Sequence, residues 1–215
     1  GTGKTTSLAR LLVLYLKHGD PALMQPILLL APTGKATARL KASLKKAIGR
    51  LREDLEDREL KEMLDYLDPE SEKCIVQTMT IHKALSVRMS RREGQGPFWH
   101  NRDNRLKASV VVVDEVSMVD LALMARLCES VPENVPFILV GDAEQLESVE
   151  AGSVLPEIVK DLLKLSPERQ KLVCARTGIR SLGTGDENLV GADHVRLTYN
   201  HRFKADSIIG RMAAA

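Results

Sequence analysis

Aromatic side chains are scarce. Phe, Trp and Tyr together make up 3% of the 215 residues, and there is a single Trp. A core in a chain of this length must then be built from Leu, Ile and Val, as in α/β folds with aliphatic strands. Cysteine is nearly as rare. Cys74, Cys128 and Cys174 are odd in number and widely spaced, which excludes a disulfide framework and fits no metal or redox pattern. Reduced thiols in a cytoplasmic protein are expected. No hydrophobic run approaches a membrane span. The longest, SLARLLVLYL, is interrupted by Arg10, and neither a membrane partner nor a leader segment is expected. Charge of one sign is also lacking. A net charge of +2 demands no polyanionic partner but leaves room for local basic patches.

What is present is an alternation of short apolar runs and helical periods. Leu8, Leu11, Leu12 and Tyr15 give a helical pattern over residues 5–17, stopped by Gly19 and Pro21. PILLLA (26–31) is wholly apolar, as suits a strand buried on both faces. A second helix is expected over 35–50. A charged helical stretch, read as a solvated face, covers 51–69. SVVVVDE (109–115) and FILVGD (137–142) are two further buried strands, with a helix between them over 122–130. Residues 88–107 read as a loop, and the Gly-rich stretch 176–194 as a mobile one. Apolar strands alternating with helices specify an α/β fold with a doubly wound parallel sheet and helices on both faces.

Each strand ends in a polar cluster: PTGK, DEVS and GDAEQ. Open α/β sheets bind ligands at the carboxyl ends of their strands, so these clusters are expected to share one crevice. The opening GTGKTT matches the second half of the phosphate loop G-x-x-x-x-G-K-[ST]. The chain is thus expected to begin inside a nucleotide site. Gly1, Thr2 and Gly3 would turn backbone N–H groups toward phosphate oxygens, Lys4 would reach the β/γ-phosphates, and the Thr5 hydroxyl would hold Mg²⁺, with Thr6 beside it. Asp114, at the end of four valines, is suited to hold the metal through water, and Glu115 to orient the attacking water. Asp114 and Glu115 could instead cap the next helix. Gln145 offers a neutral amide that senses a γ-phosphate or water without competing for the metal.

APTGKATARL supplies a second anion site. Pro32, Thr33, Gly34 and Lys35 stand at a strand end and helix start, with Arg39 a turn later. A nucleotide needs only one such loop, so the second points to a nucleic-acid backbone. In TMTIHKAL, Thr80 and His82 alternate around Ile81, as if aimed at one groove. Phe98, Trp99 and His100, amid Arg91, Arg92, Arg102 and Arg105, offer rings for base stacking. Arg202, in LTYNHRF, is a candidate arginine finger.

Together, GTGKTT, APTGKATARL, TIHKAL, VVVVDEVSMVD, LVGDAEQLESVEAGSVL and the terminal HRF resemble superfamily 1 helicases. In order and wording they are most similar to the RecD helicases, the alpha subunit of exodeoxyribonuclease V. The resemblance implies a P-loop NTPase (RecA-like) fold and a motor driven 5′ to 3′ along single-stranded DNA by ATP and Mg²⁺. It also implies RecB and RecC partners in double-strand break repair and recombination. It assigns Lys4, Thr5, Asp114, Glu115, Gln145 and Arg202 to the ATP site, and Thr33, Lys35, Thr80 and His82 to motifs lining the DNA path. The chain departs from the family's usual GGPGTGKT in lacking the first three residues, and His201 stands where the family has Tyr. Residues 1–160 are expected to be the first motor domain, 161–195 an insertion or connection, and 196–215 a segment leading to a second motor domain. The rival readings are a stand-alone RecD-like helicase, a non-catalytic DNA-binding or assembly module, and a small-molecule phosphoryl transferase.

Overall fold

The computed structural model describes residues 3–21, 24–88 and 97–142, with the single residues 168, 171 and 197. The chain divides into two compact units, Thr5–Leu155 and Gly1–Lys4 with Pro156–Ala215. Apart from those single residues, the expected segments 161–195 and 196–215 lie outside the described residues.

The first unit holds a parallel sheet. Its strands are β1 (Ile27–Ala31), β2 (Val76–Thr80), β3 (Val110–Val113) and β4 (Phe137–Leu139), in the order β2-β1-β3-β4. Every pairing is parallel, with Ala31 opposite Thr80, Leu30 opposite Val113, and Val113 opposite Leu139. The helices are α1 (Lys4–Lys17), α2 (Gly34–Asp54), α3 (Arg58–Leu67), α4 (Ile81–Leu85) and α5 (Leu121–Ser130).

The two-residue period of the strands sorts the core into two layers. Leu28, Leu30, Val111 and Val113 pack with Ile81, Leu85, Leu123, Met124 and Leu127 from α4 and α5. Ile27, Leu29, Val110 and Val112 pack on the opposite face with α1, α2 and α3, through Leu12, Leu44 and Leu64 among others. β1 and β3 are buried on both faces, which is why their sequences are uninterrupted runs of Leu and Val. Three layers and an all-parallel sheet are the expected doubly wound P-loop NTPase fold.

Some local expectations need correction. β2 was not among the strands expected from apolar runs. Its sequence VQTMT is half-buried, with Gln77 exposed, because β2 ends the strand order and packs less fully than β1. Thr80 and His82 do not alternate along a strand. Thr80 ends β2, and Ile81 begins α4 fully buried. In α1 the buried stripe runs through Leu8, Leu12 and Leu16, while Leu11 is 49% exposed. The charged stretch 51–69 is the end of α2, a break, and then α3, joined by ion pairs. Arg52 binds Asp65 at 2.9 Å, and Lys17 binds Asp57 and Glu59 at 3.4 and 3.3 Å. These exposed pairs hold surface geometry and add little stability each.

The sheet order places a reversal beside β1. The chain steps from β1 to β2 on one side, then crosses back to β3 on the other. Such a switch point opens a crevice at the carboxyl ends of the two central strands. α1 runs away from that edge. Its Tyr15 hydroxyl donates to the Ser109 carbonyl at 3.1 Å, just before β3 starts. Its carboxyl end therefore sits at the amino ends of the strands, and Thr5, ten residues or about 15 Å earlier, lies toward their carboxyl ends.

Candidate functional site

The nucleotide-type residues fall at two places. Gly3 has a φ of 81°, a left-handed backbone that glycine adopts without strain. Lys4 follows as the first residue of α1, then Thr5 and Thr6, all half-buried. Gly1, Thr2, Gln145 and Arg202 lie outside the described residues.

Asp114 and Glu115 leave the carboxyl end of β3. The Asp114 N–H donates to the Leu30 carbonyl of β1 at 2.8 Å, and the Val116 N–H donates to the Val140 carbonyl at 3.2 Å. The acids are thus tied to both neighbouring strands. Asp142, half-buried, follows the end of β4. Glu115 takes φ 54° and ψ 43°, left-handed for a residue that is not glycine. Such a conformation costs about 1–3 kcal/mol and needs enforcing by its surroundings. The Glu115 side chain makes no capping bond to the one-turn 3-10 helix Val116–Met118 that follows. The residue that caps α5 is Asp120, whose carboxylate accepts the Leu123 N–H at 2.8 Å. The Glu115 side chain therefore caps neither the 3-10 turn nor α5, where Asp120 takes that place.

Sequence reasoning missed Ser117. It is 1% exposed, and its hydroxyl has no hydrogen-bond partner among the described residues. A buried unpaired hydroxyl costs about 1–3 kcal/mol, and this one sits two residues past Glu115. Only its place in the acidic motif, not its residue type, could have drawn attention to it.

On the other side of the crevice, Thr33 caps α2. Its hydroxyl oxygen accepts the Ala36 N–H at 3.2 Å, and its carbonyl accepts from Thr37 Oγ1 at 2.9 Å. Pro32 is half-buried; Gly34, Lys35 and Arg39 are exposed. A Cβ added to Gly34 would meet nothing within 4 Å, so packing within the described residues does not demand glycine there. Thr80, paired with Ala31, caps α4 by accepting the Lys83 N–H at 3.2 Å. The Thr33 and Thr80 turns thus stand on adjacent strands, a spacing of about 4.8 Å. His82 is exposed, with its ring 6.1 Å from that of Phe98.

The basic loop is only partly as expected. Arg91 and Arg92 lie outside the described residues. Arg105 is structural: its guanidinium donates to the Val131 carbonyl at 2.6 Å and to the Arg102 carbonyl at 3.1 Å. His100 Nδ1 lies 3.2 Å from the Asn104 carbonyl oxygen. Among the described residues, no group of His, Cys, Asp and Glu could by itself hold a metal ion. A single carboxylate and a threonine hydroxyl still suit Mg²⁺, which keeps several waters and shares substrate phosphates.

Residues 1–151 match the AAA domain family. The chain belongs to that family. Within it, the chain is 36% identical over 214 residues to the RecBCD enzyme subunit RecD of Haemophilus influenzae, covering 99% of this chain and 31% of the relative. It is 43% identical over 162 residues to the subunit of the same name from Mycobacterium tuberculosis, covering 74% of this chain and 25% of that relative. Over 75 residues, 34% of this chain, it is 40% identical to the ATP-dependent RecD2 DNA helicase of Deinococcus radiodurans. The RecD-like resemblance of the motifs is borne out. The chain spans less than a third of the length of the first two relatives, at 31% and 25%. No helix among the described residues is long and apolar enough to cross a membrane.

Proposed function

We propose that this chain carries the first motor domain of an ATP-driven, RecD-like DNA helicase. The observation that carries the reading is the division of the crevice at the carboxyl edge. Carboxylates Asp114, Glu115 and Asp142 follow β3 and β4, whereas Thr33, Lys35, Thr80 and His82 follow β1 and β2. One half suits a metal-bound triphosphate and the other a phosphate backbone.

In this reading, Gly1 to Thr6 bind the ATP phosphates, with Lys4 neutralising the β/γ charge. Thr5 and Asp114 hold Mg²⁺, Asp114 through water. When bound, the metal neutralises charge developing on the phosphates. Glu115 accepts the proton of the attacking water, and its strained backbone orients the carboxylate for that task. Gln145 senses the γ-phosphate, and Arg202 stabilises the charge of the transferring group. Pro32, Thr33, Gly34, Lys35, Arg39, Thr80 and His82 line the single-stranded DNA path. The open space at Gly34 supports close approach of a DNA phosphate to the α2 amino end. Movement is 5′ to 3′ and serves double-strand break repair, as the resemblance of the motifs implies, and RecB and RecC are the partners, as the relatives named RecBCD enzyme subunits suggest. Residues 1–160 form the motor domain, 161–195 a connection, and 196–215 the approach to a second motor domain. The compartment is the cytoplasm.

The test is ATP hydrolysis by the intact protein with and without single-stranded DNA. Turnover that rises with DNA supports the motor. Turnover indifferent to DNA overturns it and favours a phosphoryl transferase, and DNA binding without turnover favours a non-catalytic module.

A further inference from the structure

We propose that Trp99, braced by Arg88, is a base-stacking platform for single-stranded DNA, set beside the phosphate-binding turns of β1 and β2. This rests on the DNA-motor reading and adds to it a contact with bases rather than phosphates.

Trp99 is the only tryptophan of an aromatic-poor sequence, yet it is 54% exposed. A lone exposed indole is ordinary on a surface; this one is also held in place. The Trp99 N–H donates to the Ser86 carbonyl at 2.9 Å, and the Arg88 N–H to the Pro97 carbonyl at 2.9 Å. Val87 and Phe98 pair between them as an antiparallel bridge. The Arg88 Nε donates to the Phe98 carbonyl at 3.0 Å, and its guanidinium lies 4.8 Å from the indole centroid. Phe98 packs against the core layer of α4 and α5. One ring of the pair is therefore an anchor, and the next, Trp99, stays outside with a cation on one face.

Packing among the described residues gives no reason for that exposure. Val87 beside it is likewise exposed, at 53%. A rigid indole with a guanidinium behind it presents a flat apolar face inside a positive field. Nucleic-acid bases stack on such surfaces regardless of sequence, and arginine adds attraction for the backbone. Position supports the same occupant. The platform follows α4, which starts directly from the Thr80 end of β2, and Thr80 pairs with Ala31, two residues before Thr33. α4 is only five residues, about 7.5 Å long, with the Thr80 cap at its start and the Ser86 carbonyl that holds Trp99 at its end.

The experiment compares a labelled thymidine oligonucleotide with an abasic sugar-phosphate strand of equal length, each titrated into the intact protein. Trp99→Ala should weaken the thymidine strand about tenfold, in line with one lost stack, and leave the abasic strand unchanged. Trp99→Phe should restore most of the loss. In the wild type, thymidine but not the abasic strand should quench the share of tryptophan fluorescence that Trp99→Phe removes. Equal losses on both strands, or no loss with Trp99→Ala, overturn the platform while leaving DNA binding in place. If the wild type binds neither strand, the DNA-motor reading falls with it. Because Trp99 is exposed, the variants should melt with the wild type, and a matched thermal transition checks this.

Discussion

Two sides of β1 meet the same edge of the same sheet and carry opposite chemistry. On the β3 side, the chain leaves the sheet through a left-handed Glu115 into a single 3-10 turn, presenting Asp114 and Glu115. On the β1 and β2 side, it leaves through capped turns at Thr33 and Thr80, and Lys35 and His82 are left exposed. The strands themselves differ little in how they pair. The difference lies in the one or two residues after each: carboxylates on one side, threonine caps followed by an exposed lysine or histidine on the other.

The largest expected effect separates the two sides outright. Glu115→Gln removes the carboxylate proposed as the base but keeps the size. ATP turnover by the intact protein should fall about 10²- to 10⁴-fold, with nucleotide and single-stranded DNA affinity kept. A matching loss of DNA affinity would show that the halves do not act separately.

A core substitution should erase both halves together. Leu29, in the central strand β1, is 0% exposed. Leu29→Ala should cost about 2–5 kcal/mol of folding stability, read by urea denaturation, because β1 supports both sides. A loss under 1 kcal/mol would contradict the close packing seen around it.

Lys35→Ala should act on the DNA side alone. Affinity for single-stranded DNA should drop several-fold, and the slope of log K against log salt should shrink by about 0.7, the value for one phosphate contact on a single strand. Turnover without DNA should stay unchanged. An unaltered salt slope would remove Lys35 from the DNA side.

The smallest effect tests a neutral group at the rim of β2. Burial pushes the Cys74 thiol up from its ordinary range, against the Val76 N–H, which lies 3.4 Å from its sulfur. The folded pKa is raised, so this contribution to stability is full below the ordinary thiol pKa and is lost as pH rises through the folded value. Alkylation at pH 8.5 should be slower for Cys74 than for a free thiol. Equal rates would mean that β2 opens more readily than its pairing with β1 implies.

Much of this was legible in the sequence. ILLLA and VVVV read as buried central strands because each is apolar at every position, which only a sheet covered on both faces explains. PTGK and VDE read as strand-end clusters because residue type and place in the chain both pointed there. β2 was not legible, because its VQTMT lacks an apolar signal; β4, at the other end of the order, was legible from FILV but is half-buried rather than buried as expected. The alternation of Thr80 and His82 misled because Thr80 is itself a helix cap, and capping changes the chain's period from two to 3.6 at that residue. Arg105, one of the arginines around the expected stacking rings, is held by the Arg102 carbonyl of the loop and the Val131 carbonyl at the end of α5.

The sequence by itself determined the layering, the central strands and the kinds of group at their ends, because burial and turn chemistry act through neighbouring residues. The tertiary structure alone decided that β1 lies between β2 and β3, so that the carboxylates fall on one side of it and the threonine caps on the other. It also decided that Glu115 is left-handed, that Ser117 is buried, and that Arg88 lies against Trp99. Those features depend on contacts between residues far apart in the chain, and no local pattern records them.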